Sequence, residues 1–206
     1  GGCKEIPTKI LLNEDFLNFI GLWIADGCYD KDSIIISVME DENKEVVRKV
    51  AKRFNLEVKM HSDKFSSIIH STLLRNIMEE ILELKGDSYT KKLPDWVLNL
   101  SDIQVGSLLK GYFSGDGCAS DKEITFSSCS KELIYDFSTL LLRFNIFLRM
   151  SDKRRERVAS SENFGVDNTY TCRIGSTKML RNFKEKIGFL TKDKQLLNMR
   201  FFGKMK

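Results

Sequence analysis

The chain predicts an α+β fold made of one unit written twice in tandem, and three features of its 206 residues carry that prediction. Adding 90 to a residue number in the first half lands on a like residue: Gly21 on Gly111, Asp26, Gly27 and Cys28 on Asp116, Gly117 and Cys118, Ser37 on Ser127, and Arg53, Phe54 and Asn55 on Arg143, Phe144 and Asn145. The likeness lapses at a longer loop in the second half and resumes where Leu74, Arg75 and Asn76 meet Leu180, Arg181 and Asn182. Each copy opens with an apolar run, 19–27 or 109–117, that has small residues four apart (Gly21 and Ala25; Gly111 and Gly115) and ends in Asp-Gly. Behind each run, helix-period and strand-period patterns alternate in the order helix–strand–strand–helix–strand–strand–helix. The copies divide the chain at 1–98 and 99–206.

After a lead-in broken by Pro7, Asn13 or Asp15 caps a first helix over about 14 to 26. Small residues on one face suit a helix packed closely on another, and the trailing Gly27 and Gly117 suit a left-handed turn that stops each helix. Tyr29 to Asp32 reads as a tight turn into a strand at 33–38, where three consecutive Ile imply burial on both faces. A helix follows at 41–54, with Val46, Val47, Val50, Ala51 and Phe54 on one face. Segments 57–61 and 65–70 form a hairpin, Ser71 caps a helix from 72 to 84, and a connector leads through Pro94. Ser101 or Asp102 caps the second motif helix, at 103–115; strand 123–128, helix 131–144, strands 147–152 and 168–175, and helix 177–187 repeat the plan. Between those last strands, 151–168 is polar and long, and is expected to be mobile without a ligand.

Hydrophobic content of 42% with two Pro supports a compact core, and no apolar run reaches membrane-spanning length. Five cysteines without Cys-x-x-Cys spacing fit a reduced, intracellular setting (cytoplasm or nucleoid of a prokaryote, or an organelle) better than a disulfide framework or zinc site. Net charge is +4, so any nucleic-acid surface must come from segregated charge. Two tandem copies make a pseudo-dimer of approximate two-fold symmetry. A DNA duplex has the same symmetry about a cleavage site, which is a physical reason to expect one as partner.

The two Asp-Gly ends set the chemistry. Asp26 and Asp116 fall at helix C-termini, where the dipole disfavours a carboxylate, and a divalent cation shared by both would compensate. Two carboxylates at one helix–helix interface form a hard-oxygen site suited to Mg²⁺, with the backbone carbonyls of Ala25 and Gly115 as further ligands. Such an ion, a positioned water and a proton acceptor are the requirements of phosphodiester hydrolysis.

The two runs, each keeping the frame Gly-x-x-x-small-Asp-Gly, resemble the paired motifs of the LAGLIDADG homing endonucleases, with Asp26 and Asp116 at the family's catalytic acid position. Around Leu93, Pro94, Asp95 and Trp96, Leu108 to Gly111, and Ile187 to Phe189, the chain looks most like the endonuclease domains of inteins and archaeal introns. The resemblance implies that each half's antiparallel sheet curves into a DNA-binding saddle. It implies a monomeric, site-specific enzyme that cuts both strands of a long duplex to leave staggered ends. Mg²⁺ would be the cofactor, Mn²⁺ would substitute, and Ca²⁺ would bind without supporting cleavage. It also implies a lysine late in each half near the scissile phosphates. Lys92 and Lys194 are the candidates, with Lys91 and Lys192 competing for the role. No splicing domain is evident, which fits a free-standing intron-encoded enzyme or an excised domain.

Strand alternation nominates the base-reading side chains: Lys59, His61, Lys64 and Ser66 in the first copy, and Arg149, Ser151, Lys153 and Arg173 in the second. Arg154, Arg155 and Arg157, in a stretch whose four bases outnumber Asp152 and Glu156, suit phosphate contacts. The competing reading is a non-cleaving nucleic-acid binder of the same fold, an RNA-splicing maturase or a regulator. A purely structural pseudo-dimer accounts for neither the paired acids nor the basic loop.

Overall fold

The computed structural model describes residues 9–120, 122–156 and 166–191. Its centre is a pair of helices, α1 (Glu14–Asp26) and α4 (Asp102–Asp116). Asn13 Oδ1 accepts from Phe16 N at 3.1 Å to start α1, and Ser101 and Gln104 form a reciprocal capping box on α4. Every residue of α1 from Phe16 to Ile24 is buried, as a helix surrounded by protein requires.

The small residues let the two backbones touch. A Cβ built on Gly21 would lie 2.5 Å from Tyr112 N, and one on Gly111 would lie 2.8 Å from Asn18 Cα. A Cβ on Gly115 would lie 2.6 Å from Ala25 Cβ. Such distances are inside van der Waals contact, so nothing larger than hydrogen fits at the crossing.

Around this axis the two halves are copies. In the first, β1 (Gly27–Asp30), β2 (Ser33–Ser37), α2 (Asp41–Arg53), β3 (Val58–Met60), β4 (Ser66–His70) and α3 (Thr72–Asn76) follow α1. In the second, β5 (Cys118–Ala119), β6 (Ile124–Ser128), α5 (Lys131–Leu142), β7 (Arg149–Glu156), β8 (Val166–Ile174) and α6 (Thr177–Lys186) follow α4. Each half has a four-stranded antiparallel sheet, ordered β1-β2-β4-β3 and β5-β6-β8-β7. The copies agree down to dihedral angles: Asn55 and Asn145, each just beyond its helix, are left-handed with φ of 54° and 57°. Asn tolerates that conformation because its side chain can bond locally. One hydrophobic core joins both halves through α1 and α4.

Four expectations are corrected. Gly27 and Gly117 are extended, not left-handed, with φ of −98° and −74°. Each motif helix runs almost directly into a sheet, and glycine is required there by crowding. A Cβ on Gly27 would lie 2.6 Å from Trp23 Cγ, and one on Gly117 would lie 3.0 Å from Phe189 Cε1. Tyr29 and Asp30 belong to β1, and the tight turn is displaced to Lys31, whose φ is 21°. The helix expected over 72–84 is α-helical only to Asn76 and widens to a π-helical turn, Ile77–Ile81. Strands β7 and β8 reach Glu156 and start at Val166, so the loop expected over 151–168 is mostly hairpin; its tip, 157–165, lies outside the described residues.

Candidate active site

Asp26 and Asp116, the last residues of α1 and α4, line one cavity of about 220 Å³ at the end of the helix pair. The register of the motif packing brings them together: an added Gly115 Cβ would sit 3.4 Å from Asp26 Oδ2. Asp26 is exposed and Asp116 half-buried. Ala25 lines the same cavity, and Ser127 and Thr169, from the neighbouring strands β6 and β8, complete a polar wall.

Of the two adjacent lysines in the connector, Lys91 is the one the structure brings to the helix ends. Its Nζ donates to the carbonyls of Trp23 (3.0 Å), Ile24 (3.1 Å) and Gly27 (2.7 Å), where α1 ends and β1 begins. It also lies 4.8 Å above the Trp23 ring centre. Burial pushes the pKa of this ammonium down, opposed by the nearby carboxylates of Asp116 and Asp26. Lys92 is exposed and lines a separate depression with Lys85, Pro94 and Asp95. Lys194, its competitor Lys192, and Arg157 lie outside the described residues. On the other flank, fully buried Tyr112 is pushed well above its ordinary pKa by burial and then by the Asp116 carboxylate, so it keeps its proton beside that acid.

The donor set fits a hard divalent ion: two reachable carboxylates, with the main chains of Ala25 and Gly115 beside them. No group of three His, Cys, Asp or Glu able to hold a metal occurs among the described residues.

The nominated strand residues separate by environment. Lys59 is exposed on β3 opposite Ile68, and Lys64 is exposed in the β3–β4 turn with φ of 63°. His61 is exposed, with Nδ1 3.1 Å from Asp63 Oδ2. Ser66 is buried, and its hydroxyl donates to the same carboxylate at 2.8 Å, so it braces the turn. In the second sheet Arg149 pairs directly with Arg173, both exposed, and Arg173 lies 3.6 Å from Glu123. Exposed Ser151 donates to the Thr171 carbonyl at 3.3 Å. Along β7, Lys153, Arg154 and Arg155 pair with Thr169, Asn168 and Asp167.

Sequence reasoning did not nominate Ser127 or Thr169. Their signal lies in the alternation of Thr125, Phe126 and Ser127 and of Thr169, Tyr170 and Thr171, in which the polar members share a face.

A LAGLIDADG-like domain matches residues 104–188. The chain is 34% identical over 149 residues to DNA-directed RNA polymerase subunit Rpo1C of Methanocaldococcus jannaschii, covering 70% of this chain and 17% of that protein. It is 31% identical over 202 residues to the isomerizing glutamine–fructose-6-phosphate aminotransferase of the same organism, covering 93% of this chain and 18% of that protein. It thus spans less than a fifth of the length of either. Among solved structures, the homing endonuclease I-DmoI in complex with DNA and Mn superposes with a TM-score of 0.60 at 12% identity, over 86% of this chain and 98% of that one. The N-terminal LAGLIDADG domain of DUF199/WhiA superposes with a TM-score of 0.58 at 15% identity, over 91% of this chain and 88% of that one. The fold is that of both. With two motif helices, two like sheets and a matching domain, the chain belongs to the LAGLIDADG family.

Proposed function

We propose that the chain is a site-specific endonuclease that hydrolyses both strands of a long DNA duplex, leaving staggered ends, with divalent metal held between Asp26 and Asp116. The observation that carries this reading is the meeting of two carboxylates, from equivalent helix ends, in one cavity. Each sits where the helix dipole disfavours it, and neither position is needed to end a helix that already runs into a strand. Mg²⁺ keeps several waters and takes phosphate oxygens, and is held through one or two carboxylates, as Asp26 and Asp116 offer. When bound, such an ion lowers the pKa of a water and neutralises charge on the phosphate being attacked.

The chain's own residues do the rest. Asp26 and Asp116 hold the ion, with the Ala25 and Gly115 carbonyls behind them. Lys91 supplies a buried positive charge beside the pair; Lys194 is the candidate in the second half. The two sheets track the duplex, with Lys59, His61 and Lys64 on one side and Arg149, Ser151, Lys153 and Arg173 on the other. Arg154, Arg155 and Arg157 contact phosphate. One chain supplies both halves, so the working form is a monomer. The long relatives are a polymerase subunit and an aminotransferase, unrelated activities that share this module. That pattern supports an insertion-borne, intein-type origin, with an intron-encoded one as the neighbouring case.

The second reading, a non-cleaving nucleic-acid binder, is favoured by the likeness to the WhiA domain, which is named without reference to cleavage. A randomised duplex library incubated with Mg²⁺, with Ca²⁺, and with an Asp116→Asn variant separates the two. A single long cut site in the Mg²⁺ lane, lost in both controls, establishes the nuclease. Specific binding without cutting in any lane establishes the binder.

A further inference from the structure

The two motif helices differ at one position beside their acids. Tyr112 stands one turn before Asp116 on α4, and the offset of 90 that aligns the copies puts Leu22 at the same place on α1. Both side chains are fully buried, so the first copy shows that an apolar residue is enough to fill the position. The hydroxyl of Tyr112 is an addition to that packing. It lies buried with no hydrogen-bond partner among the described residues, a condition that costs stability and calls for a reason.

The surroundings fix where the hydroxyl can be used. Its ring is clamped, with its centre 4.1 Å from that of Phe137 and in edge-on contact with Phe113 and Phe126 at 5.6 and 5.8 Å. Close packing of this kind holds the phenol from swinging to a distant acceptor. Burial raises its pKa most and the Asp116 carboxylate beside it next, so it stays protonated and meets that acid as a donor. Asp116 is half-buried on the cavity wall, where Asp26 is exposed. Tyr112 itself is absent from that wall, so it can act on an ion in the cavity only through Asp116.

We propose that Tyr112 is a positioning residue for the second acid: its hydroxyl donates to the Asp116 carboxylate and holds it in one orientation for a divalent cation. The proposal rests on the metal-holding role given above to Asp26 and Asp116. It makes the two acids unequal ligands, because a buried donor orients Asp116 while Leu22 occupies the same place beside Asp26. Groups that orient a metal ligand in this way are worth about 10–100-fold in metal affinity.

Mn²⁺ binding to the full chain, followed by the electron paramagnetic resonance of the free ion, tests this without any need for cleavage. Tyr112→Phe removes one oxygen and keeps the ring. It is expected to weaken Mn²⁺ binding about tenfold, while the metal-free melting temperature stays unchanged or rises slightly. In an Asp116→Asn background the same change is expected to have no further effect, since the hydroxyl acts through that acid. A Tyr112→Phe variant that binds Mn²⁺ as tightly as the wild type would overturn the proposal. So would a loss that persists undiminished in the Asp116→Asn background, or one matched by a fall in the metal-free melting temperature. Equal Mn²⁺ affinity in the wild type, Asp26→Asn and Asp116→Asn would overturn the metal-holding role itself, and the proposal with it.

Discussion

The Lys91 ammonium donates to the Gly27 carbonyl at 2.7 Å, and so ties the connector between the halves to the point where the first motif helix becomes a strand. One side chain thereby satisfies a helix end and sets a positive charge under the acid pair. Replacement by Met keeps the bulk and removes a donor from three carbonyls, of which that of Trp23 also accepts from the Gly27 N–H at the helix cap. Lys91→Met is expected to lose about 2 kcal/mol of stability, the usual cost of orphaned buried acceptors. Lys92→Met, at an exposed site, should change stability by less than about 0.5 kcal/mol. Urea unfolding of the three proteins checks both numbers.

The same residue has a pH signature. Burial holds its pKa below the ordinary 10.5, so between those two values the unfolded chain binds more protons than the folded one. Stability contributed through Lys91 therefore rises with pH across that window. Wild type minus Lys91→Met, measured from neutral pH toward 10.5, should show a rising difference; a flat one means the ammonium is not desolvated in solution.

Asp26→Asn and Asp116→Asn should each lower cleavage by at least about 10³-fold, some 4 kcal/mol of transition-state stabilisation. Each should leave duplex binding intact. Removing a carboxylate from a helix C-terminus also relieves the dipole, so both variants should gain about 0.3–1 kcal/mol in stability. Loss of activity with a gain in melting temperature is the signature of an acid kept for chemistry.

Gly115→Ala tests whether the helix crossing sets the acid geometry. Its methyl would meet the Ala25 methyl and crowd Asp26 Oδ2, so the helices must part near the site. Overpacking of this kind costs about 1–3 kcal/mol. Cleavage should fall further than stability does, whereas Gly111→Ala, pressed on the Asn18 backbone, should chiefly destabilise. Comparing turnover with melting temperature for the pair separates the two effects.

Arg149 and Arg173, paired across β7 and β8, should act through phosphate or base edges. Changing either to Ala should reduce the slope of log affinity against log salt by about 1 if it contacts phosphate. If it reads a base, specificity at one position should relax by about 1–3 kcal/mol while the slope is unchanged. Titration at several salt concentrations distinguishes these.

The duplication and the acid pair were legible because both are repeats: the offset that aligns Gly21 with Gly111 also aligns Asn55 with Asn145, and the structure gives each pair the same role. The lysine was not legible. Lys91 and Lys92 are neighbours in an irregular connector, where neither helical nor strand period selects a side, and only tertiary packing buries one of them. The extension of β7 to Glu156 was hidden for a related reason: a polar stretch carries no apolar alternation to mark it as strand. The extended Gly27 and Gly117 were misread because an Asp-Gly pair signals a turn locally, while here the glycine answers to Trp23 and Phe189.

No loop separates Asp26 from β1, nor more than Gly117 separates Asp116 from β5. Cys28 and Cys118 therefore stand about 7 Å along the chain from the two acids, two residues of extended backbone. Each carboxylate and the edge strand beside it form a single lever. If the proposed function holds, such a protein is not retargeted one sheet at a time: a change that tilts β1 or β5 on a new ligand also swings the acid. Variants with altered preference should often need a second substitution, on the far side of the helix crossing, to bring the pair back into line.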